Sequence, residues 1–172
     1  MSAPPAATER YDPTCHVASK FESGNEALDR WLIRYAGQSE RRDAARSFVI
    51  ADAGVVIGYY ALLAGELDHQ HATEQTRKGM SLSRHYPIPV AVLARLAVDH
   101  RHQHRGLGAT LLRDALRRVT LASEQLAVRA VVVHAIDEPA ARFYEHFGFR
   151  SLSATPRMLM VTLAELRAAG YP

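Results

Sequence analysis

Residues 103–112 have the sequence Gln-His-Arg-Gly-Leu-Gly-Ala-Thr-Leu-Leu and directly follow the apolar run 90–98. A buried strand that leads into a short glycine-containing turn and then into a helix forms an anion-binding pocket, because the first N–H groups of the helix are free and its dipole favours negative charge. The glycines let the backbone approach a phosphate closely. The sequence therefore predicts that residues 103–110 bind a phosphate-bearing ligand.

Three kinds of phosphate site contain such a turn. A P-loop needs Gly-Lys-Ser/Thr, whereas Gly108 is followed by Ala109 and Thr110, so nucleotide hydrolysis is not predicted. A dinucleotide site needs a third glycine, and that position is Leu111. The third pattern, Gln/Arg-x-x-Gly-x-Gly/Ala, matches residues 103–108.

The elements around this turn follow from hydrophobic periodicity and turn residues. A helix is predicted over 24–38, with Ser23 as N-cap and Glu26 completing a capping box, and a second over 106–122. A third helix begins after Asp137 and ends at Gly148. Strands are predicted over 47–51, 55–64, 90–98, 129–135, 149–153 and 158–163. This order indicates an α/β (α+β) fold in which helices cover both sides of a sheet.

The bulk composition indicates one globular domain. The chain has 172 residues, of which 48% are hydrophobic and 23% charged, and a net charge of +3. We predict a domain over residues 11–172 after a disordered Ala/Pro-rich tail over residues 1–10. Cys15 is the only cysteine, and neither a signal peptide nor a membrane span is recognised. A cytoplasmic protein without a membrane partner is therefore expected.

Three segments together resemble the GNAT acetyltransferases over roughly residues 20–163. They are the turn, the preceding Leu93-Ala-Arg-Leu-Ala-Val-Asp99, and Ala140-Ala-Arg-Phe-Tyr144-Glu-His-Phe-Gly-Phe149. The resemblance implies a mixed, mostly antiparallel sheet with a splay between its two central strands after Val98. It also implies that acetyl-CoA is the co-substrate and that its acetyl group passes directly to the acceptor, without a metal. The implied cofactor-binding residues are Leu96, Ala97, Val98, Gln103, His104, Arg105, Gly106, Leu107, Gly108, Ala109, Thr110, Asp137, Ala140 and Phe143.

Tyr144 is the predicted catalytic residue. When an amine attacks a thioester, the leaving thiolate needs a proton, which a positioned phenol can donate. GNAT enzymes often have a tyrosine at this place. From the residues alone, a core aromatic beside Phe143 and Phe147 is the better explanation for Tyr144, and the resemblance reverses that choice.

The chain also resembles a narrower group, the GNAT toxins of bacterial toxin–antitoxin pairs. The residues concerned include Phe21–Trp31, Pro87–Leu93, Arg95–Asp99 and His104–Ala109, while His102-Gln103-His104 departs from the commoner Trp-Gln-Gly. This resemblance implies acetylation of the α-amine of aminoacyl-tRNA and an arrest of translation. It further implies a ribbon–helix–helix antitoxin, operator DNA contacted only through that antitoxin, and a homodimer.

Clustered basic residues are the predicted contacts to the tRNA backbone, and such contacts make binding salt-sensitive. For any single cluster, an ordinary solvated face is the better explanation of the charges, and only several clusters together beside a phosphate pocket favour a polyanionic substrate. Arg95 lies in an apolar strand, so it is either a substrate contact or a charge satisfied by a carboxylate. The predicted tRNA-binding residues are Arg41, Arg42, Arg77, Lys78, Arg84 and Arg95.

Other functions remain open at this point. The alternating His100, His102 and His104 raise a metal site, but tight zinc sites usually add cysteine or carboxylate ligands at other spacings, so none is predicted. The runner-up function is acetylation of a protein or small-molecule amine. A third possibility is an inactive module that only binds acyl-CoA or nucleic acid. An α-amine needs no strong general base, since its pKa is near 7.7–8.0 against about 10.4 for lysine.

Overall fold

The structure is a computed structural model and describes residues 7–68, 87–152 and 157–172. Seven strands form one sheet with the order β1-β2-β3-β4-β5-β7-β6. The strands are β1 Glu9–Arg10, β2 Arg46–Asp52, β3 Val55–Leu67, β4 Ile88–Val98, β5 Ala130–His134, β6 Arg150–Ser151 and β7 Met158–Thr162. The helices are α1 Glu26–Arg34, α2 Ala36–Arg41, α3 Leu107–Ala122, α4 Glu138–His146 and α5 Leu163–Ala168.

The predicted mixed, mostly antiparallel sheet with helices is confirmed: β1 pairs with β2, β2 with β3, β5 with β7 and β6 with β7, all antiparallel. Within the residues described, no helix has the length and apolar character needed to cross a bilayer. The expected splay after Val98 stays a prediction.

The predicted helix over 24–38 is wrong in two respects. It is two helices, α1 and α2, which meet at Tyr35. Its N-cap is Asn25, whose side chain accepts a hydrogen bond from the Leu28 N–H at 3.1 Å. Ser23 does not cap, because its hydroxyl donates to the Asp29 carboxylate at 2.6 Å. Asn caps a helix about as well as Ser, so capping preference alone does not distinguish Ser23 from Asn25. The hydrogen bond of Ser23 to Asp29 determines that Asn25 is the cap.

Two elements were missed by the sequence analysis. The helix α5 begins with a capping box in which Thr162 and Glu165 exchange hydrogen bonds, a signal that the sequence contains as Thr-x-x-Glu. Glu9 and Arg10, assigned to the tail, form β1 against Val49 and Phe48 of β2. Residues 1–6 of that tail lie outside the described residues.

Contacts divide the chain into two compact units, of which the first comprises Met1–Leu63 and Leu93–Ala115. A buried cluster joins the segment before α1 to the helices α1 and α2 and to the strands β2, β3 and β4. Its members are Tyr11, Ala18, Phe21, Leu32, Ala36, Val49, Val56, Tyr59 and Ala97. The helix α3 packs closely on β3 at Gly58, where an added Cβ would lie 3.0 Å from the Leu111 side chain. The Asp114 carboxylate fixes the same helix by accepting from the hydroxyls of Tyr60 at 2.5 Å and Thr8 at 2.6 Å.

The second unit comprises Ala64–Val92 and Leu116–Pro172. Its buried cluster consists of Leu67, Ile88, Val90, Ala130, Val132, Leu152 and Met160. The helices α4 and α5 pack against β7. A backbone bond from the Arg129 N–H to the Pro89 carbonyl at 2.9 Å lies at the start of β5. The prediction of one domain over residues 11–172 stays a prediction.

Candidate active site

The predicted phosphate turn lies in the first unit, between β4 and α3. A short 3-10 turn, His100–His102, follows β4, and α3 begins at Leu107. Gly106 has φ +81°, and no atom lies within 4 Å of the Cβ that it lacks, so this side of the turn is open. His104 has φ +61°, in the left-handed region that costs a non-glycine residue about 1–2 kcal/mol. His104 therefore occupies, at an energetic cost, a position that suits glycine.

A run of backbone N–H groups in this turn has no acceptor in the part of the protein that the structure describes. Within the described ranges, the N–H groups of residues 104–109 donate to no oxygen, and the next one, of Thr110, donates to the Gly106 carbonyl at 3.1 Å. Consecutive free N–H groups before a 16-residue helix create positive potential that suits an anion. The residues present thus fit a pyrophosphate, as the sequence predicts.

The buried side chain of Asp99 stabilises the geometry of the turn. Its carboxylate is fully buried and accepts from Arg101 Nε at 2.8 Å, Arg101 Nη2 at 2.9 Å and the Glu22 N–H at 3.1 Å. The hydrogen bonds from Arg101 are the largest of the effects that hold the pKa of Asp99 well below its usual range. These contacts make Asp99 a structural residue of the turn.

Gln103 joins the turn to two other segments. Its side-chain amide donates to the Ser23 carbonyl at 2.7 Å and to the Val98 carbonyl at 2.9 Å. The amide therefore faces protein oxygens, and a predicted ligand contact by Gln103 would fall to its backbone. The Val98 carbonyl therefore accepts a hydrogen bond from Gln103, and the predicted pantetheine contact of residues 96–98 stays a prediction.

The histidines of this segment have separate surroundings. His100 Nδ1 lies 3.0 Å from the Glu22 carbonyl, and His102 Nδ1 is buried 3.8 Å from the Asp99 carboxylate. His104 is exposed beside Arg105. Among the residues that the structure describes, no group of three or more His, Cys, Asp or Glu side chains is arranged to bind a metal ion.

Tyr144 lies in the second unit, in the last turns of α4, and is 6% exposed. Its ring packs against Phe143 at 5.2 Å and Phe149 at 5.6 Å between centroids. Burial raises the pKa of the Tyr144 phenol. Its hydroxyl donates to no acceptor in the described part of the chain. The side chain is thus a protonated phenol, held by apolar contacts, whose hydroxyl is available to a ligand.

The start of α4 agrees with the sequence analysis. Asp137 is its N-cap and accepts from the Ala140 N–H at 2.8 Å, and Pro139 lies in the first turn. Gly148 has φ +93° directly after the C-cap Phe147. Ala140 and Phe143 are half-buried. The roles predicted for Asp137, Ala140 and Phe143 in cofactor binding stay predictions.

The predicted tRNA contacts fall into three groups. Arg41 and Arg42 are exposed at the end of α2, whereas the neighbouring Arg46 is paired with Glu40 and Asp43. Arg77, Lys78 and Arg84 lie outside the described residues. Arg95 is half-buried, and its guanidinium carbon lies 4.4 Å from the centroid of the Trp31 ring. The contact with Trp31 was missed because no sequence pattern relates a helix position to a strand 64 residues later.

The family comparison matches residues 43–151 to the model described as "Acetyltransferase (GNAT) domain". A curated relative from Mycobacterium tuberculosis, named "tRNA-acetylating toxin", is 39% identical over 150 residues, which cover 87% of this chain and 88% of the relative. Both matches include the turn and the helix that carries Tyr144.

Two solved structures show the similarity of fold. AtaT complexed with acetyl-methionyl-tRNAfMet has a TM-score of 0.85 and 24% identity, covering 95% of this chain and 98% of that one. A mutant of the toxin AtaT bound to the C-terminus of the antitoxin AtaR and to acetyl-CoA has a TM-score of 0.80 and 23% identity, with coverage of 96% and 98%. At these identities the two structures support the architecture alone.

Proposed function

The chain belongs to the GNAT acetyltransferase family, and we propose that it is a toxin that acetylates the α-amine of aminoacyl-tRNA with acetyl-CoA and thereby blocks translation. The observation that carries the acetyl-transfer part is the run of free N–H groups over residues 104–109 beside the open Gly106. The acceptor is inferred from the 39% identical relative named as a tRNA-acetylating toxin.

In this proposal the turn binds the pyrophosphate of acetyl-CoA through its backbone. The free N–H groups of residues 104–109 donate to phosphate oxygens, and the side chains of His104 and Arg105 are exposed beside them. The backbone of residues 96–98 pairs with the pantetheine arm. Asp99 and Gln103 hold the turn in shape, so no reorganisation is needed when the anion binds. Bound acetyl-CoA supplies a thioester, whose acyl carbon is the electrophile.

Tyr144 is proposed to supply the proton that the thiolate takes up. The neutral amine forms the C–N bond, the C–S bond breaks, and the amine loses one proton while the sulfur gains one. Burial raises the pKa of Tyr144, whereas an ordinary thiol has a pKa near 8.5, so proton donation by the phenol alone is unfavourable. We therefore infer that Tyr144 passes its proton to the sulfur as it takes one from the acceptor nitrogen, which leaves the phenol unchanged.

This chemistry suits an α-amine. Burial alone accounts for the raised pKa of Tyr144, with no charged or hydrogen-bonded neighbour contributing, so within the described residues no base that could deprotonate a lysine acts on this phenol. At neutral pH the neutral fraction of an α-amine exceeds that of a lysine by about 10²–10³, because their pKa values differ by about 2.5. A larger fraction of an α-amine acceptor is therefore already in the neutral, nucleophilic form when it binds.

The partners follow from the same proposal. A small ribbon–helix–helix antitoxin binds the enzyme, the complex contacts operator DNA through that antitoxin, and the enzyme forms a homodimer. Arg41, Arg42, Arg77, Lys78, Arg84 and Arg95 contact the tRNA. Charged tRNA is used in the cytoplasm, which is where we place the activity.

The test is incubation with labelled acetyl-CoA and total aminoacylated tRNA. We expect label on the tRNA fraction that mild base releases as N-acetyl amino acid, and none on deacylated tRNA. Label on protein or on polyamines would support the runner-up function, acetylation of protein or small-molecule amines. An absence of transfer with acetyl-CoA still bound would indicate a binding module.

A further inference from the structure

Arg95 is the only charged residue of β4, and an aromatic platform holds its guanidinium group. The guanidinium lies over the Trp31 ring at 4.4 Å, and Trp31 stacks on Tyr59 with the rings 9° from parallel. The Tyr59 hydroxyl donates to the Leu28 carbonyl of α1 at 2.7 Å. The strand β4, the helix α1 and the two rings thus position the guanidinium group.

Among the described residues, Arg95 has no carboxylate partner of the kind that a half-buried arginine usually has. Over the described ranges it makes no ion pair and no hydrogen bond, unlike Arg46 and Arg101, which are both paired. The neighbouring Asp29 is engaged by Ser23, whose N–H and hydroxyl donate to it at 2.9 and 2.6 Å. A cation–π contact contributes only about 0.5–2 kcal/mol and uses none of the N–H donors of the guanidinium. These donors are therefore available to an anionic ligand.

We propose that Arg95, positioned over the Trp31 ring, binds a phosphate in the single-stranded 3′ end of the acceptor tRNA. This inference rests on the proposed function and gives Arg95 a specific role within it. A planar guanidinium can donate two parallel hydrogen bonds to a phosphate, which an ammonium cannot do.

The position of Arg95 favours a phosphate near the reacting amine. Arg95 directly precedes residues 96–98, which are proposed to pair with the pantetheine arm, and a strand advances about 3.3 Å per residue. The acceptor amine sits on the terminal nucleotide, so the nearest tRNA phosphates lie within one nucleotide of it. A cation about 3–10 Å along the strand from the pantetheine contacts is at a matching distance.

The experiment compares Arg95→Lys and Arg95→Ala with the wild type on two acceptors, aminoacyl-tRNA and an amino-acid methyl ester that lacks phosphate. We expect both variants to raise KM for aminoacyl-tRNA about tenfold, since one phosphate contact is lost, and to leave the ester reaction and KM for acetyl-CoA within twofold. Binding of deacylated tRNA should weaken likewise in Arg95→Ala, and its log–log salt slope should fall by about 0.7. Arg30→Ala is the matched control, because Arg30 lies on α1 beside Trp31 and already faces Glu26 at 3.7 Å.

Each other outcome overturns the inference. An equal loss on both acceptors would assign Arg95 a structural role, and a raised KM for acetyl-CoA would assign the phosphate to the cofactor. Unchanged binding of deacylated tRNA would exclude the contact even if the wild type failed to acetylate tRNA, a failure that would count against the proposed function instead. Trp31→Phe keeps an aromatic face and should retain most of the affinity for tRNA that Trp31→Leu loses.

Discussion

The turn over residues 99–110 and the helix α4 are built on opposite principles. The turn is held by polar contacts. Asp99 is paired with Arg101 and accepts from the Glu22 N–H, and the Gln103 amide donates to two carbonyls. The helix α4 has its key side chain, Tyr144, in an apolar packing of phenylalanine rings. The turn thus presents many backbone donors in a fixed arrangement, whereas α4 presents one hydroxyl whose proton burial retains.

This difference predicts that the turn contributes to cofactor binding and that Tyr144 contributes to the chemical step. Substitutions in the turn should act on stability and on KM for acetyl-CoA, because backbone donors bind a phosphate in ground state and transition state alike. Substitution of Tyr144 should act on kcat, because its proton is needed only as the C–S bond breaks.

The largest effect is expected for Tyr144→Phe. We expect kcat to fall by about 10²-fold or more, the usual range for loss of a general acid, with KM for acetyl-CoA within twofold of the wild type. The melting temperature should hardly change, since the hydroxyl makes no hydrogen bond within the described residues. Steady-state kinetics and a thermal melt provide the measurements. A full rate in the variant, or a raised KM with normal kcat, would remove Tyr144 from the chemistry.

Asp99→Asn should give the next largest effect, on stability. Replacing this buried, ion-paired carboxylate should cost about 1–3 kcal/mol of unfolding free energy at pH 7. Asp137→Asn is the control in α4, because Asp137 is an exposed N-cap and Asn caps equally well. Urea unfolding measures both variants, and equal losses would contradict the contrast between the two regions.

The same carboxylate predicts a pH dependence. The pKa of Asp99 is lowered in the folded protein, so its contribution to stability is fully present above the ordinary carboxyl pKa of about 3.9 and is lost as the pH falls towards the folded value. We expect the stability of the wild type to fall between about pH 5 and pH 2 more steeply than that of Asp99→Asn. Parallel curves would show that Asp99 is not the responsible group.

The smallest effect is expected at two glycines in the same positive-φ conformation, which any other residue would adopt only with strain. Gly106 in the turn and Gly148 after α4 have φ of +81° and +93°, with open space at the missing Cβ. Alanine at either position should cost about 1 kcal/mol of stability. Only Gly106→Ala should raise KM for acetyl-CoA, up to about tenfold, because about 1.4 kcal/mol corresponds to a factor of ten in an equilibrium constant. Kinetic titration with acetyl-CoA separates the two variants, and equal KM values would place the pyrophosphate elsewhere.

The sequence predicted those elements that local signals determine. The helix α3, the N-cap Asp137 and the end of α4 at Gly148 depend on periodicity, a capping carboxylate and a glycine, all of which act within a few residues. The N-cap of α1 was predicted wrongly because both Ser23 and Asn25 are suitable capping residues. The hydrogen bond from Ser23 to Asp29 engages the Ser23 hydroxyl, and Asn25 caps the helix instead.

Contacts between distant segments were beyond such signals. That Arg95 lies on Trp31, or that the Gln103 amide spans Ser23 and Val98, depends on which strand faces which helix, and no spacing in one sequence encodes this. The sequence restricted the alternatives for Arg95 to a ligand contact or a carboxylate pair, and the described residues supply no such pair, which supports the ligand contact proposed above.

The first unit has a consequence for how the protein is made. Its hydrogen bonds join segments far apart in sequence: the Glu22 N–H meets Asp99 across 77 positions, and Thr8 meets Asp114 across 106. Closing such long loops is costly and slow before native contacts compensate for it. A growing chain can form most of the cluster around Tyr59 once β3 has been synthesised, but it cannot make the contacts of Asp99 and Asp114 before those residues exist. We therefore expect chains that end before residue 99 to lack the phosphate turn and to be recognised by chaperones and proteases.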